Sequence, residues 1–572
     1  MSRYLSYKEE CERLQKLLAE VSTDEESLNE EDEEIVDEEL ISDHKSNSEE
    51  ELDSDSEVYV CESTDDYVGK DGKTIWHKKE PRKNVRTPAH NIISKLPGNI
   101  GETKNVSSPI NSWTFLIDES MISIIVECTN IFIRSIACKF GRERDAHPTK
   151  ISEIKAFIGL LYFGGLHKSS HVNVKDLWAT DGTGIDIFHR TMSYKRFLFL
   201  MRCVRFVDIR DRSSRREVDK LAPIRNIFEM FVANCQKVQT LGEYVTIDEK
   251  LEPFRGRCSF RQYMPNKPAK YGIKIFALVD ARTFYTWNLE IYAGTQPAGP
   301  YNVENGPDKI VKRLLEPIFN SGRNLTVDNW YTSYDLAKDL LKKKITLVGT
   351  VRKNKRELPK EFISGKKREQ YSTLFGFQKN LTLVSYVPKK NKCVVLLSSM
   401  HNGGTIDAST GEAKKPEIIT FYNLTKGAVD VVDEMSATYS TARISKRWPM
   451  VIFFSMLNIA TVNSRIILLS SNTPPVQYKK RSLFIKDLSL ELLKDHLQER
   501  SMQATLPRQL RDQLNCNRSE KCDTPPQKKQ KFSRKRCHVC PSTKDRKSQM
   551  CCSACKKNVC GEHSSVVCCK CL

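Results

Sequence analysis

The 572-residue chain is 39% hydrophobic and 28% charged, with a formal net charge of +19, enough apolar material for several folded domains and polar tails besides. No run reaches the roughly 18 uninterrupted apolar residues of a membrane span, since Met450 to Leu469 is broken by Asn458, Asn463 and Arg465, and the N-terminus lacks an apolar signal core. The sequence therefore predicts neither a membrane nor a secreted protein.

The charge is lopsided. Asp24 through Asp66 holds 21 acidic residues and one Lys, a local charge of −20, which leaves +39 on the remainder. A body that basic suggests a polyanion partner, because Lys and Arg that neutralise phosphates release condensed counterions. Residues 1–105 read as a disordered acidic arm, too poor in apolar groups to offset ordering entropy. From 106 to 243 apolar residues recur at helical spacing, as in Ile122, Ile125, Ile133 and Ile136, and predict a helical scaffold. Between 244 and 352 the runs "YVTIDEKL", "YGIKIFALVDA", "YTWNLEIYAG", "NLTVDNW" and "ITLVGTVR" predict strands, with helices before and after the fourth. That succession, β-β-β-α-β-α-β, is the strand order of an RNase H-like domain. The Lys-rich stretch 353–416 contains one clear strand pair and predicts an inserted β subdomain. Helical periodicity returns from Lys426 through about Leu469, with weaker helices to about 515, and divides into segments 417–437 and 438–516. A basic linker, 517–536, precedes a cysteine-rich tail, 537–572.

Asp248 ends the run "YVTI" and Asp328 ends "LTV". An aspartate leaving a strand's apolar core projects into the opening at the sheet edge, and two such carboxylates on neighbouring strands repel unless a divalent cation lies between them. Asp430 and Asp433, three apart near the start of a helix, share one face, and one or both could complete the set. In the tail, Cys537-x-x-Cys540, Cys552-x-x-Cys555, Cys560-x-x-His563 and Cys568-x-x-Cys571 supply eight ligands, enough for two tetrahedral zinc ions. Either Cys551 or Cys569 could replace its neighbour.

The segments "TIDEKLEPFRGRCSFRQYMPNKPAKYGIKIFALVD" (246–280), "NLTVDNWYTSYDLAKDLL" (324–341), "LVGTVRKNKRELP" (347–359), "YNLTKGAVDVVDEM" (422–435) and "SKRWPM" (445–450), followed by the Cys/His tail, resemble the piggyBac-type transposases over about residues 110–572. The resemblance implies a catalytic triad of Asp248, Asp328 and Asp430 with Asp433 as a further required aspartate, and two Mg²⁺ ions per active site. Asp280, also at a strand end, is not at a catalytic position in that pattern. It further implies nicking of transposon ends, excision through DNA hairpins, and joining of the 3′-hydroxyl to TTAA. Trp448 matches the tryptophan that supports the hairpin end; as an indole it can stack with an unpaired base. Arg352 and Lys355 match residues that hold target DNA, and Arg255, Arg257 and Lys270 are secondary phosphate contacts by their mixture with aromatic residues.

In the family's tail the first and third ligand pairs share one zinc and the second and fourth share the other, and the finger recognises terminal inverted repeats. The expected architecture is thus multidomain α/β: an RNase H-like catalytic domain (244–352 and 417–437), a β-rich insertion, a helical dimerisation and DNA-binding domain from two segments (106–243 and 438–516), and a cross-brace zinc finger. A homodimer follows from the need to hold two transposon ends, and "KKQKFSRKR" (528–536) predicts nuclear import. The alternative is a domesticated relative that binds DNA or chromatin through its finger without strand transfer.

Overall fold

The computed structural model describes residues 66–81, 89–265, 267–366, 368–503, 506–507, 510–511, 514, 535–544, 546–552 and 555–564. The arm before Asp66, most of the linker, and Cys568, Cys569 and Cys571 lie outside them. Two compact units divide the chain, one ending at Gln503 and one beginning at Ala504.

The first unit opens with β1 (Asp66–Val68) and β2 (Ile75–His77), an antiparallel pair. The expected disorder through residue 105 is therefore corrected over residues 66–81 and 89–105. Trp76, 1% exposed, supplies the apolar burial that the acidic arm lacks. Four main helices follow: α1 (Glu119–Ile136), α2 (Ile151–Leu166), α3 (Tyr194–Cys203) and α4 (Arg225–Val238). Asp118 caps α1 by accepting from the Met121 amide, and Ser193 caps α3 through the Arg196 amide.

The sheet is built from β3 (Tyr244–Pro253), β4 (Gln262–Tyr263), β5 (Tyr271–Asp280) and β6 (Thr286–Ile291), then α5 (Pro307–Leu315), β7 (Asn324–Val327), α6 (Tyr334–Lys342) and β8 (Thr346–Thr350). It continues through β9 (Thr373–Gln378), β10 (Leu381–Lys389) and β11 (Lys392–Ser398). The strand order is β1-β2-β9-β10-β11-β8-β7-β3-β5-β4, with β6 also pairing β5. β7 runs parallel to both β3 and β8, while β5 is antiparallel to β3. The segment expected to form an inserted subdomain instead continues this sheet: β11 pairs antiparallel with β8, Val348 opposite Ser398, and so covers an edge that would otherwise be open.

Helices α7 (Glu417–Thr425), α8 (Ala428–Thr438), α9 (Trp448–Leu469) and α10 (Arg481–Ser501) close the unit. α10 packs on α2, so helices from opposite ends of the chain form one body. Contact is close because Gly159 has no side chain: a Cβ there would lie 3.0 Å from the Ser489 carbonyl. Glu119–Lys139 and α9 are both long and apolar enough to cross a membrane. α9, however, is 83% buried within the protein, and its polar groups are paired there. Asn463 exchanges two hydrogen bonds with the Thr286 backbone, and Asn458 accepts from Thr441.

Candidate active site and metal centre

Register brings Asp248 and Asp328 together. Thr246 on β3 is the parallel partner of Thr326 on β7, and each aspartate lies two residues further along the chain. Asp328 is the first residue past β7, whereas Asp248, expected at a strand end, lies inside β3 opposite Ala277 of β5; the two carboxylates come together where the parallel pairing stops. Burial, then the neighbouring Glu249 and Asp328 charges, raises the Asp248 pKa well above the carboxylate range. Burial and Glu249 push Asp328 up to about 6, although it accepts from the Trp330 amide at 2.9 Å. Asp280 ends an antiparallel strand and so lies at the opposite edge, opposite Val245; there its carboxylate accepts from the Arg282 and Thr283 amides as a turn residue.

Helix α8 packs against β3 and β5 and presents two more carboxylates. Asp430 is exposed and lies 3.4 Å from the Lys267 ammonium; Asp433 lies 3.3 Å from Lys250. Lys250 is 3% exposed and also pairs with Glu252 at 2.6 Å. Asp248, Lys250 and Glu252 alternate onto one face of β3, which is why Lys250 meets Asp433 of α8. On the other face Glu249 accepts from the Tyr331 hydroxyl at 3.1 Å, and Lys274 lies 4.7 Å from the Trp330 ring centre. Burial lowers the Lys274 pKa.

The aspartates are not all drawn within 4.8 Å of one another; among the described residues only a tail cluster is that tight. Here Asp430 is held by Lys267 rather than by its fellow acids. The donor set nonetheless fits a divalent cation: hard carboxylate oxygens, the pKa of two of them raised first by burial and then by neighbouring carboxylates, with an ammonium already drawn to a third.

Sequence reasoning missed Lys267, Lys250, Glu249 and Lys274. Their signal was strand parity around Asp248 and the first lysine of "NKPAK". Within that segment Lys270 is an exposed left-handed turn residue (φ 53°), and Lys267 is the one that reaches the acids. Arg255 and Arg257 are exposed on the loop after β3. Trp448, the first residue of α9, meets Phe260 of that loop edge-on at 5.0 Å. Arg352 donates to the Asn329 side chain, next to Asp328, and lines a cleft with Lys355, Asn354, Arg356 and Trp330.

In the second unit, Cys537, Cys540, Cys560 and His563 bring one donor atom each within 4.8 Å of all the others. The sulfur atoms of Cys537, Cys540 and Cys560 lie 3.7, 3.5 and 3.2 Å from His563 Nδ1. A tetrahedron with metal–sulfur bonds of about 2.3 Å and a metal–nitrogen bond of about 2.0 Å has edges of roughly 3.5–3.8 Å, so the spacing fits zinc. Burial opposes ionisation of Cys537, but the Val539, Cys560 and Cys540 amides and His563 hold its pKa down to about 6. These are the first and third ligand pairs. Of the second and fourth, Cys552 and Cys555 are described, whereas Cys568 and Cys571 lie outside the described residues.

Residues 108–465 match the transposase IS4 family model. The chain is 22% identical over 367 residues to human PiggyBac transposable element-derived protein 3, covering 61% of this chain and 60% of that protein. It is also 22% identical over 363 residues to human PiggyBac transposable element-derived protein 2, covering 60% and 58%. The chain thus spans about 60% of the length of these relatives. It is similar as well to a cryo-EM structure of the piggyBac transposase synaptic complex with hairpin DNA, at TM-score 0.69 and 37% identity over 84% of this chain and 100% of that one. With the family model matching more than half its length, the chain belongs to the piggyBac-type transposases.

Proposed function

We propose that this chain is a cut-and-paste DNA transposase with an RNase H-like catalytic domain in residues 244–352 and 417–437. The observation that carries the reading is the parallel register of β3 and β7, which sets Asp248 beside Asp328 under the helix that bears Asp430. The meander β3-β5-β6, extended on its other side by parallel β7 and β8, supports the RNase H-like assignment.

Asp248, Asp328 and Asp430 would hold two Mg²⁺ ions, which supply charge stabilisation on phosphoryl oxygens and activate the attacking hydroxyl. The chain's own groups do the positioning. The Trp330 and Tyr331 amides fix the Asp328 carboxylate. The Lys250 ion pair with Asp433 ties α8 to β3 and so holds Asp430 over the sheet edge. Arg352 and Lys355 grip target phosphates, with Arg255, Arg257 and Lys270 as outer contacts, and Trp448 stacks on an unpaired base at a hairpin end. Hairpin excision is supported by the hairpin DNA in the similar solved complex; joining at TTAA rests on the motif resemblance. The tail binds two zinc ions, one on Cys537, Cys540, Cys560 and His563 and one on Cys552, Cys555, Cys568 and Cys571, and reads terminal repeats. A nuclear homodimer suits a reaction that pairs two DNA ends.

An excision assay tests the reading. Loss of a flanked reporter element should occur with the parent chain and vanish in Asp248→Ala and Asp328→Ala. DNA binding without Mg²⁺-dependent cleavage in the parent would leave the domesticated, non-cutting alternative.

A further inference from the structure

The strand pair β1–β2 reaches across about 280 residues of sequence to the loop that carries Arg352 and Lys355. Four backbone carbonyls of that loop accept from it. The Lys70 ammonium donates to Lys353 O at 2.7 Å, the Asp71 amide to Arg356 O at 2.9 Å, the Trp76 indole to Glu357 O at 3.0 Å and the Lys70 amide to Leu358 O at 3.2 Å. Gly69 bridges Pro359, and a Cβ on Gly69 would meet Asp71 Oδ1 at 2.8 Å and Glu357 O at 3.0 Å, so a side chain there would press on both the turn and the loop.

The pair is itself anchored. Trp76 is buried and meets Tyr334 edge-on at 6.0 Å, Tyr67 meets Phe362 at 5.0 Å, and the Ile75 carbonyl accepts from Gln378. Its turn is closed by Asp71, which accepts from the Lys73 and Thr74 amides, with Gly72 in the left-handed region (φ 67°).

From this geometry we infer that residues 66–77 are a clamp that fixes the 352–358 loop for target DNA, with Lys70 and Trp76 as positioning residues. The inference rests on the reading of Arg352 and Lys355 as DNA-gripping groups. A loop with four carbonyls committed to one side turns its electronegative oxygens away from an incoming phosphate. The side chains of Arg352, Asn354, Lys355 and Arg356 are left facing the cleft beside Asn329 and Trp330. Without the clamp, each of these residues would regain backbone freedom, which DNA binding would then have to offset. None of the clamp residues is among the carboxylates of the sheet edge, so end cleavage and target joining respond to it differently.

The test uses the full-length chain with Trp76→Phe, which keeps most of the packing and removes only the donor, and Lys70→Met, which keeps the stem. Backbone hydrogen exchange over 353–359, cleavage of a transposon end, and joining of a pre-cut end to a TTAA target are measured together. The clamp predicts faster exchange in that segment and joining reduced about tenfold in the double variant, less than the roughly hundredfold that a full 1 Å misplacement can cost, with end cleavage within about twofold of the parent. Unchanged exchange overturns the clamp, as does faster exchange with unchanged joining. Equal loss of cleavage and joining overturns the positioning role in favour of a general stabilising one. Arg352→Ala/Lys355→Ala is the separate control: joining at the parent level there would refute the DNA-gripping reading while leaving the exchange result to stand by itself.

Discussion

Thr246 and Thr326 face each other in parallel register, and both hydroxyls converge on Thr425 at the end of α7, at 2.6 Å to its carbonyl and 2.8 Å to its hydroxyl. One residue therefore ties together the two strands that, two positions later, deliver Asp248 and Asp328. The spacing of the acidic pair is set by buried hydrogen bonds beneath it, before any cation contributes.

That crowding has a cost that should be measurable. Asp328→Asn should abolish excision, a loss on the order of a thousandfold or more if several kcal/mol of transition-state stabilisation disappear. It should also stabilise the metal-free protein. The folded pKa of Asp328, about 6, exceeds the ordinary carboxylate value of about 3.9, so the folded state holds the proton more tightly and metal-free stability falls as pH rises through that window. Urea denaturation in chelator should show the parent losing on the order of 2 kcal/mol between about pH 4 and pH 7 through this group. The Asn variant should lose correspondingly less. Identical pH profiles would show that the pair is not under this strain.

The tail permits a count. Metal analysis of the full chain should give two zinc ions, falling to one in Cys560→Ser, because removing one thiolate opens a closed four-ligand site. Retention of both ions in that variant would reassign Cys560, and one ion in the parent would remove the second site.

Much of this arrangement was legible in the sequence because strands and helices announce themselves by apolar period, and because Asp248 and Asp328 sit where those periods break. The five central strands and the two intervening helices lie where the apolar runs placed them. Chain-distant pairing was not legible. Nothing in "YVGKDGKTIWHKK" says that Trp76 is buried against residues some 280 positions away, so the acidic neighbourhood reads as disordered by composition. Likewise, composition cannot say that β11 pairs with β8, which makes the insertion a continuation of the sheet. Lys267 was passed over for Lys270 because only the turn geometry at Lys270, with its positive φ, decides which lysine reaches the acids.

Trp448 separates end processing from end binding. It is half-buried at the first turn of α9, with one ring contact to Phe260. Removing it should reduce hairpin formation or resolution by roughly the 1–3 kcal/mol of a base stack while leaving the affinity for an intact transposon end near the parent value. Gel analysis of hairpin intermediates alongside a binding titration checks this. Equal losses in both would assign the indole to packing.

Lys250 is the most exacting residue near the site. It is buried between Glu252 at 2.6 Å and Asp433 at 3.3 Å, with Ser455 Oγ at 3.4 Å. Burial alone would lower its pKa, but the two carboxylates raise it above the usual lysine value, so the cation is present at neutral pH. Lys250→Met leaves Glu252 and Asp433 without their counter-charge and should cost about 3–5 kcal/mol in denaturant unfolding, the range for breaking a buried ion pair from one side. Asp433→Asn should cost less, about 1 kcal/mol, because Glu252 still pairs with the ammonium and the amide can still bond. Its effect should fall on excision instead, since a weaker tie between α8 and β3 lets Asp430 drift from the sheet edge. If Asp433→Asn destabilised the fold as much as Lys250→Met yet cut normally, Asp433 would be a structural counter-ion with no part in placing Asp430.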